Sequence, residues 1–145
     1  MRVFTIGFTK KTAEGFFSSI CSSGAKRVVD VRLNNVSQLA GFSKRDDLRY
    51  FLGQICGVDY VHAPELAPTQ ELLDAYKKAH GSWSTYERGF LDLMRRRRIG
   101  DTISPNIIRD ACLLCSEATP ERCHRRLVAE YLRDQWGSIE IVHLP

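Results

Sequence analysis

Five short runs rich in β-branched and apolar residues, "RVFTIG" (2–7), "RVVDVR" (27–32), "VDYVH" (58–62), "ACLLC" (111–115) and "IEIVHL" (139–144), punctuate the chain, with helical periodicity in the stretches between most of them. That alternation constrains the fold more than any other feature, because parallel neighbouring strands need a long crossover and a helix supplies it. The expected fold class is α/β. It is a single compact domain over residues 1–145, a mainly parallel sheet of about five strands flanked by helices in a Rossmann-like three-layer arrangement. A chain of 145 residues buries ~70% of the surface its unfolded state exposes, enough for a core without disulfides or a structural metal.

The helices have their own signals. Phe16, Phe17, Ile20 and Cys21 share one face of a helix over about 12–23. After the polar loop "LNNVSQLAGFSKRDD", Ser43 is placed to cap a helix whose Leu48, Phe51, Leu52, Ile55 and Cys56 fall on one stripe. Thr69 caps a helix over about 70–80 that Gly81 ends. Ser84 and Glu87 are spaced as a capping box, with Trp83, Tyr86, Phe90 and Met94 as the stripe behind them. Thr119 and Pro120 are expected to cap and open a last helix running to about 135.

Charge and cysteine usage narrow the function classes. With 21 Lys+Arg against 17 Asp+Glu the formal charge is +4, which permits an anionic partner, a small molecule or nucleic acid, without demanding one. "RRRR" (95–98) carries part of the excess; it reads either as a phosphate-gripping patch or as a helix end where cations suit the dipole. Cys21, Cys56, Cys112, Cys115 and Cys123 make an odd count, and "MRVFTIGFTKK" breaks its short apolar run with Gly7 and lysines. These features predict no cleavable signal and a reduced, cytoplasmic protein. No run reaches the ~18 apolar residues of a membrane span, so no membrane partner is expected. Oligomeric state is not encoded in any pattern found here.

Ligands of parallel sheets sit beyond the carboxyl ends of the strands, so the residues there carry the functional reading. In "VVDVR", Asp30 and Arg32 are two apart and project to one side, either as an ion pair or toward a ligand. In "LLCSE", the same alternation puts Cys115 and Glu117 on one side and Cys112 on the other. This separation argues against a zinc knuckle built on C-x-x-C, and neither metal nor cofactor is expected. Cys21, Cys56 and Cys112 read as small core hydrophobes. On the last helix, Leu127, Val128, Tyr131 and Leu132 form an apolar line in register with His124, which therefore points toward the sheet, flanked by Cys123 and Arg125. Arg122, Arg125 and Arg126 near the helix start make an anion site there plausible on charge grounds. A phosphatase loop headed by Cys115 is set aside, because position 121 holds Glu121 where that chemistry needs arginine. The layout is compatible with a rhodanese-like sulfur carrier.

Taken in order, "TIGF", "VVDVR", "LLCSEATPERCHRRLVAEYL" and the closing "IVHL" resemble the domain-of-unknown-function family numbered 488 across essentially the whole chain. The family's usual T-I-G-[HY]-S is altered here to Phe8 and Thr9, so a polar role at the first of these positions is lost and a hydroxyl is kept at the second. The resemblance marks Gly7, Asp30, Arg32, Cys115, Glu117, Cys123, His124 and Arg125. It implies a compact α/β fold with a shared pocket and leaves the reaction open. Residues of about 63–100 look like a helical insertion or lid, with Glu65, Trp83 and Tyr86 as its candidates.

Three function classes follow. The first is an enzyme in which Cys115, Glu117, His124 and Asp30 are catalytic, while Arg32, Cys123, Arg125, Gly7, Thr9, Glu65, Trp83 and Tyr86 bind an anionic substrate related to a nucleotide or nucleic acid. The second is a non-catalytic module that grips nucleic acid or a phosphorylated ligand. The third is a thiol redox or sulfur-carrier protein in which Cys115 and Cys123 pair.

Overall fold

The computed structural model describes residues 1–36 and 41–145; part of the polar loop expected after the second strand, residues 37–40, lies outside the described residues. Five strands, β1 (Arg2–Gly7), β2 (Arg27–Asp30), β3 (Asp59–His62), β4 (Ala111–Cys115) and β5 (Glu140–His143), form one sheet in the order β3-β2-β4-β1-β5. Every neighbouring pair is parallel, with Val28 opposite Cys112, Ile6 opposite Leu114 and Gly7 opposite Cys115. The expected α/β architecture is what the chain adopts.

The period of two divides the core. Val29, Leu113 and Cys115 face one side, where they meet α4 (Trp83–Arg96) and α7 (His124–Trp136), with the short helices α5 (Ile99–Thr102) and α6 (Pro105–Ile108) filling the edge. Val28, Cys112 and Leu114 face the other, against Phe16, Phe17 and Ile20 of α1 (Ala13–Ser23) and Leu48 of α2 (Arg45–Phe51). Both faces are covered, which parallel sheets require. A remaining helix, α3 (Gln70–Lys77), packs on α4 at the carboxyl end of the sheet, where Leu72, Leu73 and Tyr76 join the apolar cluster.

Several local expectations change. β2 ends at Asp30, so Arg32 stands beyond the sheet rather than inside it. Ser43 lies in a 3-10 turn, Gly41–Ser43, and α2 starts two residues later with Lys44 at its N-cap. The stripe expected on this helix is broken because the backbone passes into a π turn, Leu52–Cys56, whose extra residue per turn swings Ile55 into solvent, 55% exposed. α4 opens at Trp83 with Ser82 accepting from the Thr85 amide, so Ser84 and Glu87 form no capping box. α7 opens at His124, because a turn closed by the Cys123 amide on the Pro120 carbonyl occupies the segment expected to be helical. Cys21 and Cys56 are not core hydrophobes: Cys21 is exposed, and the two form a disulfide that ties α1 to the π turn with Cα atoms 5.1 Å apart. A wholly reduced chain is therefore not what is found. No helix among the described residues is long and apolar enough to cross a membrane.

Candidate active site

β4 ends at Cys115 with its side chain on the α7 side, and the chain then turns away from the sheet through Ser116 and Glu117. Two contacts fix that turn. The Thr9 amide donates to the Ser116 carbonyl at 3.1 Å, and Arg125 Nη1 donates to the Glu117 carbonyl at 2.7 Å. Gly7 explains why the loop can pass so close: a Cβ there would lie 1.7 Å from the Glu117 carbonyl oxygen, so only hydrogen fits. Arg125 is fully buried and also donates through Nε to Thr5 Oγ1 at 3.3 Å. Gly7 and Arg125 thus build the loop that carries the thiol.

α7 brings the other groups. Cys123 is its N-cap and His124 its first residue, both buried, as the apolar line of the helix required for the histidine. His124 Nε2 lies 2.6 Å from the Val31 carbonyl oxygen, and since a carbonyl only accepts, Nε2 carries the proton. Its Nδ1 is then 3.3 Å from Cys115 Sγ, and Phe90 packs against the ring at a centroid distance of 5.3 Å. Burial, with the Arg125 charge behind it, lowers the His124 pKa and favours the neutral ring. Burial by itself would raise Cys115. The Cys123 thiol donating to it, the Ser116 amide and the Arg125 charge together outweigh burial and hold Cys115 below the ordinary thiol value. Donating to Cys115 pushes Cys123 the opposite way, with burial adding to the rise. Cys112, on the far face of the sheet, is pushed up to about 12 by burial, against the opposing charge of Arg125.

Asp30 and Arg32 form the ion pair, not two separate ligand groups. Arg32 Nε and Nη2 each meet an Asp30 oxygen at 2.8 Å, and the Tyr60 hydroxyl donates to Oδ2 at 2.5 Å. Asp30 is fully buried with both oxygens engaged, so it acts on the cavity through Arg32. Arg32 is 2% exposed, its guanidinium lies 5.4 Å from the Phe8 ring centroid, and its Nη1 has no hydrogen-bond partner among the described residues. Phe8 thus supports the arginine with its ring.

A cavity of about 320 Å³ opens above these groups, with Cys115, Cys123 and His124 at its base and Arg32 in its wall. Opposite stand Tyr76 and Lys77 of α3 with Trp83 and Tyr86 of α4. The rings form a ladder, Tyr76 to Tyr86 at 5.0 Å and Trp83 stacked on Tyr86 at 5.2 Å. Lys77 crosses to Glu117 at 3.0 Å, and although burial alone would lower its pKa, this pairing holds it raised. Arg122 completes the basic rim. Five sequence candidates stand outside the cavity lining: Gly7, Asp30 and Arg125 lie behind it, Thr9 is exposed and contributes its backbone, and Glu65 is exposed with its carbonyl accepting from Arg97 at 2.8 Å. Tyr76 and Lys77 were missed from sequence, since their place depends on how α3 docks on α4; the aromatic–cation pair in "DAYKK" was the available signal. Tyr60 was missed as the second hold on Asp30.

Of the arginine run, Arg96 pairs with Asp92, Arg97 donates to the Glu65 and Ala67 carbonyls, and Arg98 pairs with Asp101. No curated protein and no solved structure matches the chain. A family model does, over residues 12–132, a span that takes in β2, β4, α7 as far as Leu132 and every cavity-lining group named above. The chain therefore belongs to the family described as domain of unknown function DUF488.

Proposed function

We propose that the protein is a thiol-dependent enzyme acting on an anionic substrate of the nucleotide class, with Cys115 as nucleophile and His124 Nδ1 as the base that takes its proton. One observation carries this reading: Cys115 Sγ at the base of the cavity lies 3.3 Å from a ring nitrogen whose partner nitrogen is fixed on the Val31 carbonyl. Nucleophile, base and orienting group are the parts that covalent catalysis needs. The substrate class comes from the walls. Arg32, Lys77 and Arg122 give a positive rim, the Nη1 of buried Arg32, without a partner among the described residues, is a donor that a phosphate or carboxylate oxygen would satisfy, and Trp83 with Tyr86 offers a flat face for a base to stack on. Glu117, paired with Lys77 at the mouth, is placed to pass protons to solvent.

The test is turnover of a panel of nucleoside phosphates and their esters by the wild type and Cys115→Ser. Turnover lost with ligand binding kept is the expected result; a Cys115→Ser variant with undiminished turnover overturns the reading. A second reading, a thiol redox or sulfur-carrier protein, is favoured by the Cys115 and Cys123 sulfurs lying within 4.8 Å of each other. Its signature is a Cys115–Cys123 disulfide formed on treatment with a small disulfide and found by peptide mapping.

A further inference from the structure

We infer that Cys115, Cys123 and His124 form a binding site for one zinc-class divalent cation, with three protein ligands and a fourth position open to the cavity. This goes beyond the thiol reading and does not depend on it, because it concerns where donor atoms stand, not whether the thiol attacks a substrate.

The two sulfurs and the histidine nitrogen all lie within 4.8 Å of one another, and all three residues are buried. In a tetrahedral zinc site, with Zn–S ~2.3 Å and Zn–N ~2.0–2.1 Å, sulfur and nitrogen ligands stand ~3.5 Å apart. Cys115 Sγ and His124 Nδ1 are already 3.3 Å apart, so a cation enters with side-chain shifts of tenths of an ångström on that edge. The histidine is also prepared. A metal-bound imidazole generally gives its other N–H to a carbonyl or carboxylate, and here Nε2 donates to Val31, leaving the Nδ1 lone pair toward the sulfurs. The donor set of two sulfurs and one imidazole is soft, which favours zinc over magnesium or calcium.

Three ligands and a cavity make an open site. The remaining cysteine of C-x-x-C, Cys112, is on the opposite face of the sheet and cannot supply a fourth ligand. Structural zinc sites are closed by four protein ligands, whereas an open position facing a ligand cavity is the arrangement of catalytic zinc. Charge is compatible as well. A divalent cation on two thiolates is neutral overall, so it adds no net positive charge beside Arg32, Lys77 and Arg122. Binding releases the two thiol protons to solvent as the two S–metal bonds form. With the cation in place both sulfurs are ligands, so free-thiol chemistry belongs to the cation-free protein.

The experiment titrates the reduced, folded 145-residue chain with Co²⁺, reading the thiolate-to-cobalt charge-transfer absorption, and then displaces the Co²⁺ with Zn²⁺. Expected is one cobalt per chain with tetrahedral d–d bands, displaced by one zinc. Cys115→Ser, Cys123→Ser and His124→Ala are each expected to weaken binding by more than the ~10–100-fold that loss of an outer-shell partner costs. Cys112→Ala and the double variant Cys21→Ser/Cys56→Ser are expected to keep wild-type affinity. A second measurement needs no variant: zinc should slow the alkylation of Cys115 and Cys123 in the folded, reduced protein. No charge-transfer band in the wild type, or a band undiminished in both Cys115→Ser and Cys123→Ser, overturns the proposal. If zinc leaves the alkylation of Cys115 and Cys123 unchanged, it is overturned too.

Discussion

The hydrogen bond from His124 Nε2 to the Val31 carbonyl, 2.6 Å long, decides which edge of the imidazole meets Cys115. Val31 follows directly on β2, and its own amide is held by the Leu114 carbonyl of β4, so the sheet itself sets the tautomer. His124→Ala is expected to lower turnover by ~10²–10⁴-fold, the usual worth of a general base, while leaving ligand affinity nearly unchanged. Comparing kcat with the dissociation constant of a non-reacting ligand checks this, and a loss confined to binding would point to a positioning role instead.

Asp30→Asn leaves the buried Arg32 guanidinium without a counter-charge, and breaking such a pair costs ~3–5 kcal/mol. Tyr60→Phe removes a single hydrogen bond to the same carboxylate, worth ~1.5–3 kcal/mol. The expected order in urea unfolding is therefore Asp30→Asn well below Tyr60→Phe, both below wild type. The reverse order would mean that Asp30 is not the group holding Arg32.

Gly7→Ala sets a methyl group 1.7 Å from the Glu117 carbonyl and 2.8 Å from Arg125 Nη1. The loop carrying Cys115 must move, at a cost of ~1–3 kcal/mol or more. A lower denaturant midpoint together with slower alkylation of Cys115 is expected, whereas Gly53→Ala, with nothing within 4 Å of its Cβ position, should change neither.

His143 supplies a pH dependence. Thr5 Oγ1 accepts from Arg125 Nε at 3.3 Å and lies 2.7 Å from His143 Nδ1, so one hydroxyl separates the His143 ring from the buried Arg125 charge. Partial burial, and then the Arg125 charge, lower the His143 pKa below its ordinary value. The folded state thus binds fewer protons than the unfolded one. Stability from this group is complete above the unfolded value of ~6.5 and is lost as pH falls below it. His124, lowered in the same direction, adds to the slope. His143→Gln is expected to flatten part of the decline of the unfolding midpoint between neutral and mildly acidic pH; an unchanged slope would show that His143 carries none of it.

Period-two and helical patterning made the sheet, its two faces and the orientation of His124 legible before any coordinates. Cys112 and Cys115 separate as alternation requires, and the line Leu127, Val128, Tyr131 and Leu132 does aim His124 at the sheet. What local pattern misses is what distant parts of the chain decide. Ser84 and Ser82 look alike as caps, and only the turn before α4 selects Ser82. Cys21 and Cys56 sit on two helix faces that look apolar in isolation, and their pairing is set by how α1 meets the π turn. Tyr76 and Lys77 join the cavity because α3 packs on α4, a contact no spacing within α3 announces.

The strand order has a consequence for when the protein can work at all. β1 and β2 never pair with each other; β4, which comes late in the chain, lies between them and joins them. An emerging chain that stops short of Ala111 therefore holds the β2–β3 pair and a lone β1 with no strand to join them, and neither Cys115 nor His124 exists in it. Such long-range closure makes for slow folding. It also ties the cavity to completion of the sheet, since the strand that joins β1 to β2 is the one that ends in Cys115.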